Sequence, residues 1–418
     1  MIAGLALALA LAPGPSQAPG GIEVSPAGPV RTIAAALALA QPHARIIVRA
    51  GRYLEPTILV NTPVTITGDS GAVIDGEGQR QLMTITADDV TVRGLGFRNV
   101  GTSFVQDRAA IKVVGARDCV IEDNHVDDGF FGIYLSRAGR CRIARNTLRA
   151  RGRTEVTSGN GIHLWSSDSI TIEDNRISGY RDGIYFEFVR GSEIRGNVSE
   201  RNLRYGLHFM YSDGCHYRRN LFRANGAGVA VMYAKDVEMT GNRFEQSWGS
   251  AAYGLLLKEI TDSRVIGNRF IGNTVGLVAE SANRLEAHDN DFVDDGWAVR
   301  LTASTADARF TGNNFIGNTF DVATNSRQAF SAFDGNYWDQ YRGYDLDRDG
   351  RGDVPHHPVR LFSLIVEHNE PSLILLRSLF VRLLDVAERA LPVLTPETLA
   401  DEHPAMQPFP RPLQAATR

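Results

Sequence analysis

The chain has 418 residues, of which 43% are apolar and 22% charged, with 41 glycines and a net charge of −4. That is too apolar for a disordered segment and long enough for one large repeat domain with extensions. A weakly negative charge offers no basic field for nucleic acid; lysine is confined to Lys112, Lys235 and Lys258, arginine carrying the other positive charges.

Residues 1–18 read as an export signal, with an apolar run from Ile2 to Ala12 and a small-x-small cleavage motif at Ser16-Gln17-Ala18. The run is too short to span a membrane. A mature chain exported this way is extracytoplasmic. Residues 19–44 read as a linker and a helical amino-terminal cap, the helix lying in the alanine-rich Arg31–Ala40. A cap is required because open coils expose apolar cores and strand edges. Ile46–Val48 and the Gly51–Glu55 turn lead into the first coil.

Residues 45–338 are repetitive. Asn124, Asn146, Asn175, Asn197, Asn220, Asn242, Asn268, Asn290 and Asn313 recur at steps of 22, 29, 22, 23, 22, 26, 22 and 23. Apolar residues stand three before and two after nearly every one, with Ser199 an exception. In phase with them run glycine-led alternating segments, such as Gly132-Ile-Tyr-Leu, Gly161-Ile-His-Leu, Gly183-Ile-Tyr-Phe, Gly206-Leu-His-Phe and Gly228-Val-Ala-Val. Alternation means strands, and a period in the low twenties means stacking. No leucine consensus or helical segment accompanies the period. The predicted fold is all-β: a right-handed parallel β-helix, each coil about 4.8 Å above the last, with ten or so clear coils making a rod roughly 50 Å long. Gly, Asn and Asp are expected at its corners, where the backbone turns left-handed. The asparagines are expected to form a structural amide ladder inside one corner.

Cys119, Cys141 and Cys215 each precede a ladder asparagine by five residues and share an inward column. Cys119 and Cys141 lie on adjacent coils, close enough for a disulfide; small core fillers are the other reading.

In the glycine-led strands the second and fourth residues after glycine face out. The fourth position reads Trp165, Glu187, Met210, Met232, Lys258 down successive coils, and the second reads His163, Tyr185, His208, Ala230. Thioether beside imidazole is a soft ligand set suited to Cu(I). The candidate copper residues are therefore His208, Met210 and Met232, with Glu187 at the edge; the alternative is an exposed patch that binds a partner. A polysaccharide-processing or carbohydrate-binding β-helix is the other functional class. Outward acids are thinly spread, however, and no paired carboxylates at glycosidase separation or Ser-His or Cys-His constellation emerges.

Residues 339–360 form an acidic capping loop. In Asp345-Leu-Asp-Arg-Asp-Gly-Arg-Gly-Asp353, carboxylates Asp345, Asp347, Asp349 and Asp353 fall at positions 1, 3, 5 and 9 with glycine at 6, as in the first part of an EF-hand calcium loop. Position 12 is His356 instead of the bidentate glutamate, so calcium and a solvated acidic turn both remain readings. Residues 361–418 form a helical extension and tail. Pro371–Ala390 reads as one helix, interrupted by Arg377 and Arg382 and so unsuited to crossing a membrane. Leu373, Leu376, Phe380, Leu383 and Leu384 are candidates for docking on a membrane partner or for packing on the end of the rod.

Several strings are more specific than generic coils: Asp182-Gly-Ile-Tyr-Phe-Glu-Phe188, Asn202-Leu-Arg-Tyr-Gly-Leu-His-Phe-Met210, Gly226-Ala-Gly-Val-Ala-Val-Met-Tyr233 and Tyr253-Gly-Leu-Leu-Leu-Lys-Glu259. Gly317-Asn-Thr-Phe-Asp-Val-Ala-Thr-Asn325, Phe333-Asp-Gly-Asn-Tyr-Trp338, Tyr344-Asp-Leu-Asp347 and Leu361-Phe-Ser363 continue the pattern. Over roughly residues 30–400 the chain resembles the NosD family, periplasmic β-helical accessory proteins of nitrous oxide reductase maturation. The resemblance implies a non-enzymatic protein of denitrification, attached peripherally to the inner membrane. Its implied partners are the membrane subunit of an ABC transporter with its ATPase, a copper-chaperone lipoprotein and apo nitrous oxide reductase. Copper is the implied cargo and sulfur a further candidate.

Overall fold

The computed structural model describes residues 21–411 apart from 104, 153, 326–330, 376–377 and 391–398; the expected export segment lies outside the described residues. From Ala44 to Trp338 the backbone winds into short strands of two to six residues that stack in parallel register. They form three sheets of 14, 12 and 13 strands. The fold is the expected parallel β-solenoid, with about thirteen turns, longer than the repeats alone suggested.

Alternation decides which side chains face in. On the 12-stranded sheet one inward column runs Ile133, Ile162, Ile184, Leu207, Val229, Leu255, Leu277, Val299 and Val322, each register-paired with the next. All of these are fully buried. Such a column gains the burial of successive aliphatic side chains, about 1.5–3 kcal/mol for each. On the 13-stranded sheet, Phe222, Phe244, Phe270, Phe292, Phe315 and Trp338 stack face to face at 4.1–5.6 Å.

The asparagine ladder is formed. The Asn124 backbone N–H and Nδ2 both donate to Asn146 Oδ1 at 3.0 Å, while Nδ2 also donates to Val92 O at 3.0 Å. The pattern repeats through Asn313 to a tenth member, Asn336. Asp401, 65 residues further on, then ends it by accepting from Asn336 N and Nδ2 and from Trp338 Nε1 at 2.9–3.0 Å. A second column that the sequence reading missed fills another corner with Asn202, Asn225, Ser247, Asn273, Asp295 and Asn318. Ser199, the exception in the apolar pattern, is buried beside it and donates to Gly206 O at 2.7 Å.

Most left-handed corners carry the expected Gly, Asp or Asn, but several do not. After the strands of the 12-stranded sheet, Phe188, Tyr211 and Tyr233 hold φ of 55°, 49° and 54°. Left-handed backbone at a bulky residue is strained by about 1–3 kcal/mol. These rings stack on one another at 5.3 and 5.0 Å, which offsets part of that cost.

Helix α1 (Ile33–Leu39) covers the amino-terminal end. Thr32 Oγ1 accepts from Ala35 N, and the buried Glu55 carboxylate accepts from Ile33 N and Ala34 N at 2.7 and 3.0 Å. Hydroxyl and carboxylate together satisfy the unpaired N–H groups of the first turn. Within the segment read as linker, Ile22–Val24 is a strand paired with Ala44–Val48.

The carboxy-terminal extension differs from the single expected helix. It comprises α2 (Leu361–His368), a 3₁₀ turn (Glu370–Leu375) and α3 (Leu379–Ala390). Ser378 restarts the helix, its Oγ accepting from Val381 N at 3.3 Å. Phe362, Val366, Val381 and Leu384 pack against Phe320 and Trp297 of the last coils. Among the described residues no helix is long and apolar enough to cross a membrane.

All three cysteines are buried free thiols. Cys141 Sγ donates to Gly139 O at 3.4 Å, so the Cys119–Cys141 bond left open above is not formed and the core-filler reading describes the structure.

Candidate functional site

Register on the 12-stranded sheet brings three of the candidate copper residues into one outward line. Glu187 pairs with Met210 and Met210 with Met232, followed by Lys258. Adjacent coils place the two thioethers about 4.8 Å apart at their backbones. His208 precedes Met210 by two residues on the same strand, Tyr205–Met210, and so shares its outward face. Tyr185 joins the two columns: its Oη stands 3.4 Å from Glu187 Oε2 and 3.8 Å from Met210 Sδ. Burial and the Glu187 charge push the Tyr185 phenol up to about 12, so it stays protonated and able to donate.

The second outward column is not exposed, contrary to what facing outward implies. Tyr134, His163 and Tyr185 stack at 4.5 and 4.7 Å, and His208 meets the edge of Tyr185 at 5.0 Å. His163 is only 9% exposed and His208 6%. The longer corners of the two irregular coils supply the cover. Asn160, in the 29-residue step, holds His163 Nδ1 at 2.9 Å, and Tyr253, in the 26-residue step, stacks on Tyr205, which lies against His208. Burial, helped by the Arg181 charge, drives the His163 imidazole down to about 3, leaving it neutral.

Behind His208 lies a charge cluster that sequence reasoning did not identify. Asp182 is fully buried. Arg204 grips it with Nε and Nη2 at 2.9 and 2.5 Å, and Arg181 Nε stands 3.5 Å away. Burial alone would raise the Asp182 carboxyl; the polar groups gathered on it, the Arg204 fork among them, outweigh that and hold it at about 2. Arg204 Nη2 also reaches His208 Nδ1 at 3.2 Å, while His208 Nε2 is buried without a hydrogen-bond partner. The signal available in the sequence was Asp182 and, one register step earlier on the next coil, Arg204, at the starts of paired strands, but arginine and aspartate at corners occur throughout the chain.

An orphaned imidazole nitrogen beside two register-paired thioethers fits a soft monovalent cation better than a hard one. The line's next carboxylate, Glu280, stands four coils beyond Glu187, roughly 19 Å at the inter-strand spacing, and pairs with Lys258, so the two do not form a hydrolytic carboxylate pair.

In the acidic loop, Asp345, Asp347 and Asp349 bring carboxylate oxygens within 4.8 Å of one another. Asp353 stands apart from this group, accepting from Leu346 N at 2.6 Å. Asp345 itself accepts from Arg348 N and Gly350 N. Loop and tail close the solenoid together, Arg351 bridging to Ala405 and His356 to Asp401.

Of the docking candidates, Leu384 is partly buried against the last coils, whereas Phe380 and Leu383 are exposed. Leu376 and the side chain of Leu373 lie outside the described residues. Leu379 and Val386 extend the exposed face, so α3 is apolar on two sides.

Fold and face together define a β-helical rod that carries a candidate ligand-binding face. A family model described as "Periplasmic copper-binding protein (NosD)" matches residues 146–343. A Pseudomonas aeruginosa protein named "Probable ABC transporter binding protein NosD" is 33% identical over 381 residues, covering 86% of this chain and 87% of that protein. A Stutzerimonas stutzeri protein of the same name is 28% identical over 379 residues, covering 86% of each. The chain belongs to the NosD family. Its relatives are named as binding proteins rather than enzymes. Among solved structures, the catalytic unit of a GH87 alpha-1,3-glucanase from Streptomyces thermodiastaticus has a TM-score of 0.56 at 13% identity, over 78% of this chain and 67% of that one. The A-module of mannuronan C-5 epimerase AlgE6 from Azotobacter vinelandii has a TM-score of 0.50 at 17% identity, over 70% and 85%. At these identities the likeness is of fold alone.

Proposed function

We propose that this protein is a periplasmic accessory of an ABC-transporter complex that holds copper in transit and passes it to apo nitrous oxide reductase. The observation that carries this reading is the outward line of Met210 and Met232 beside His208 in a member of a family described as copper-binding. Copper here is cargo. Thioethers and imidazole hold Cu(I) without the tight grip of paired thiolates, and that suits onward transfer. Glu187 and Tyr185 border the line and would orient the cargo's surroundings. A lipoprotein copper chaperone is the donor that the family resemblance implies, with sulfur handling a further role of the same transporter.

The outer face of α3 is the proposed dock for the transporter's membrane subunit. Leu379, Phe380, Leu383 and Val386 are 52–71% exposed there. A patch of this kind on one helix suits a helix-in-groove contact and a peripheral attachment to the inner membrane. A structural calcium ion at Asp345, Asp347 and Asp349 has only the convergence of three carboxylates behind it; a rise in Tm with added calcium, absent in Asp347→Asn, would support it. The polysaccharide reading keeps only the shared fold.

The copper reading is tested by anaerobic Cu(I) titration against a competing chelator, with Met210→Leu/Met232→Leu beside the wild type. One site lost in the variant supports it; equal binding by both removes these methionines from the account.

A further inference from the structure

The copper reading leaves a contradiction at His208. A histidine ligand needs a free lone pair on one ring nitrogen. Guanidinium has donors and no acceptor, so Arg204 Nη2 at 3.2 Å from Nδ1 makes Nδ1 the acceptor. The proton then sits on Nε2. In this arrangement neither nitrogen is free for a metal, and binding must first displace Arg204: the Nδ1 lone pair is engaged by Arg204, and Nε2 carries a hydrogen with no partner.

The same atoms contain the remedy. Asp182 Oδ2 stands 3.8 Å from His208 Nδ1, just beyond hydrogen-bond length, with Arg204 Nη2 shared between them. If Arg204 slips off Nδ1 while keeping its Nε contact to Asp182 Oδ1, the imidazole can turn Nδ1–H toward Oδ2. Nε2 gives up its proton to water as Nδ1 takes one, with no net change in charge. The result is a carboxylate–histidine–metal arrangement in which Asp182 orients the ring and Nε2 presents its lone pair.

We propose that Arg204, tethered by Asp182, is the latch of the copper face. With Arg204 on Nδ1 the imidazole is locked out of coordination. With Arg204 displaced, Asp182 holds the metal-binding tautomer. Arg204 and Asp182 are positioning residues that act through His208, and the inference rests on the copper reading given above. Arg204 lies over the Tyr205 ring at 4.8 Å, and Tyr205 against His208 at 4.7 Å. Tyr205 is half-buried at the edge of the cluster, so pressure on this ring from a bound partner would displace Arg204 directly. A latch of this kind weakens copper binding by the isolated protein and strengthens it when a partner docks.

The test reads the tautomer apart from copper. Long-range ¹H–¹⁵N spectra of the imidazoles in the full mature chain, metal-free, are expected to show His208 protonated on Nε2. Arg204→Lys keeps a cation for Asp182 but loses the fork that reaches Nδ1; it is expected to shift His208 toward the Nδ1–H form and to bind Cu(I) roughly tenfold tighter or more. Asp182→Asn, the second variant, removes the tether and is expected to move the tautomer without tightening copper to the same degree. Nδ1–H in the metal-free wild type, or an unchanged tautomer and affinity in Arg204→Lys, would overturn the latch. If Met210→Leu/Met232→Leu abolishes copper while Arg204→Lys changes nothing, the site stands and the latch falls. If no protein binds copper, both fall.

Discussion

Asp295 occupies an asparagine's place, and replacing it should make the protein more stable. It sits in the second corner column between Asn273 and Asn318. Its Oδ1 accepts from Asn273 N and Nδ2 at 2.7 and 3.0 Å, while Oδ2 is buried without a partner. Burial pushes its carboxyl from 3.8 up to about 8 despite the two hydrogen bonds from Asn273. The native state therefore holds a proton that the unfolded chain releases. Stability from this proton is complete below about pH 4 and is lost as pH rises through 8. Across the shift the loss amounts to about 6 kcal/mol, and about 4 kcal/mol of it has gone by pH 7. Asp295→Asn keeps the shape, keeps the acceptor for Asn273 and adds a neutral donor facing the unpaired side. Relaxation around the site trims the gain, leaving an expected stabilisation of about 2–4 kcal/mol at pH 7–8 and close to none near pH 4. Thermal melts of wild type and Asp295→Asn at pH 4.5 and 8 decide it. A variant equal to wild type at both values, or favoured more at the acid one, would refute the reasoning.

Asp401→Ala strips the ladder's end, leaving Asn336 N, Asn336 Nδ2 and Trp338 Nε1 buried without their acceptor; a loss of about 3 kcal/mol or more is expected in Tm and in amide exchange of the last coil. Asn220→Ala in mid-ladder removes the acceptor of Asn197 N and Nδ2 and should cost about 2–4 kcal/mol. Phe380→Asp/Leu383→Asp on the exposed side of α3 should leave the Tm within about 1 °C and abolish co-purification with the transporter's membrane subunit. Val381→Asp, on the packed side, should instead lower the Tm.

The rod was legible because its signals are local and repeat. Asn124 to Asn313 keep a step of 22 or 23 with two exceptions, and inward alternation follows from the pleat itself. The second column was harder to see: it mixes Asn, Ser and Asp, and Ser247 breaks its amide chemistry. Asp401 could not be assigned to the ladder from sequence, since its contacts lie more than 60 residues away. The pairing of Met210 with Met232 was readable from register alone. The burial of His208 was not: alternation tells which way a side chain points, and the cover comes from corners whose extra residues carry no period. Arg204 was hidden for a related reason, because its role depends on a fork reaching two side chains at once. The break in the carboxy-terminal helix was signalled by Ser378, a helix-starting residue inside an apolar run.

The central claim is that the outward line of Met210 and Met232 beside His208 holds copper. Anaerobic Cu(I) titration of the mature protein against a chelator tests it most directly, with wild type, Met210→Leu/Met232→Leu and Arg204→Lys measured together. The account predicts one site per chain, lost in the methionine variant and tightened in Arg204→Lys. Equal Cu(I) binding in all three, or none in any, would contradict it.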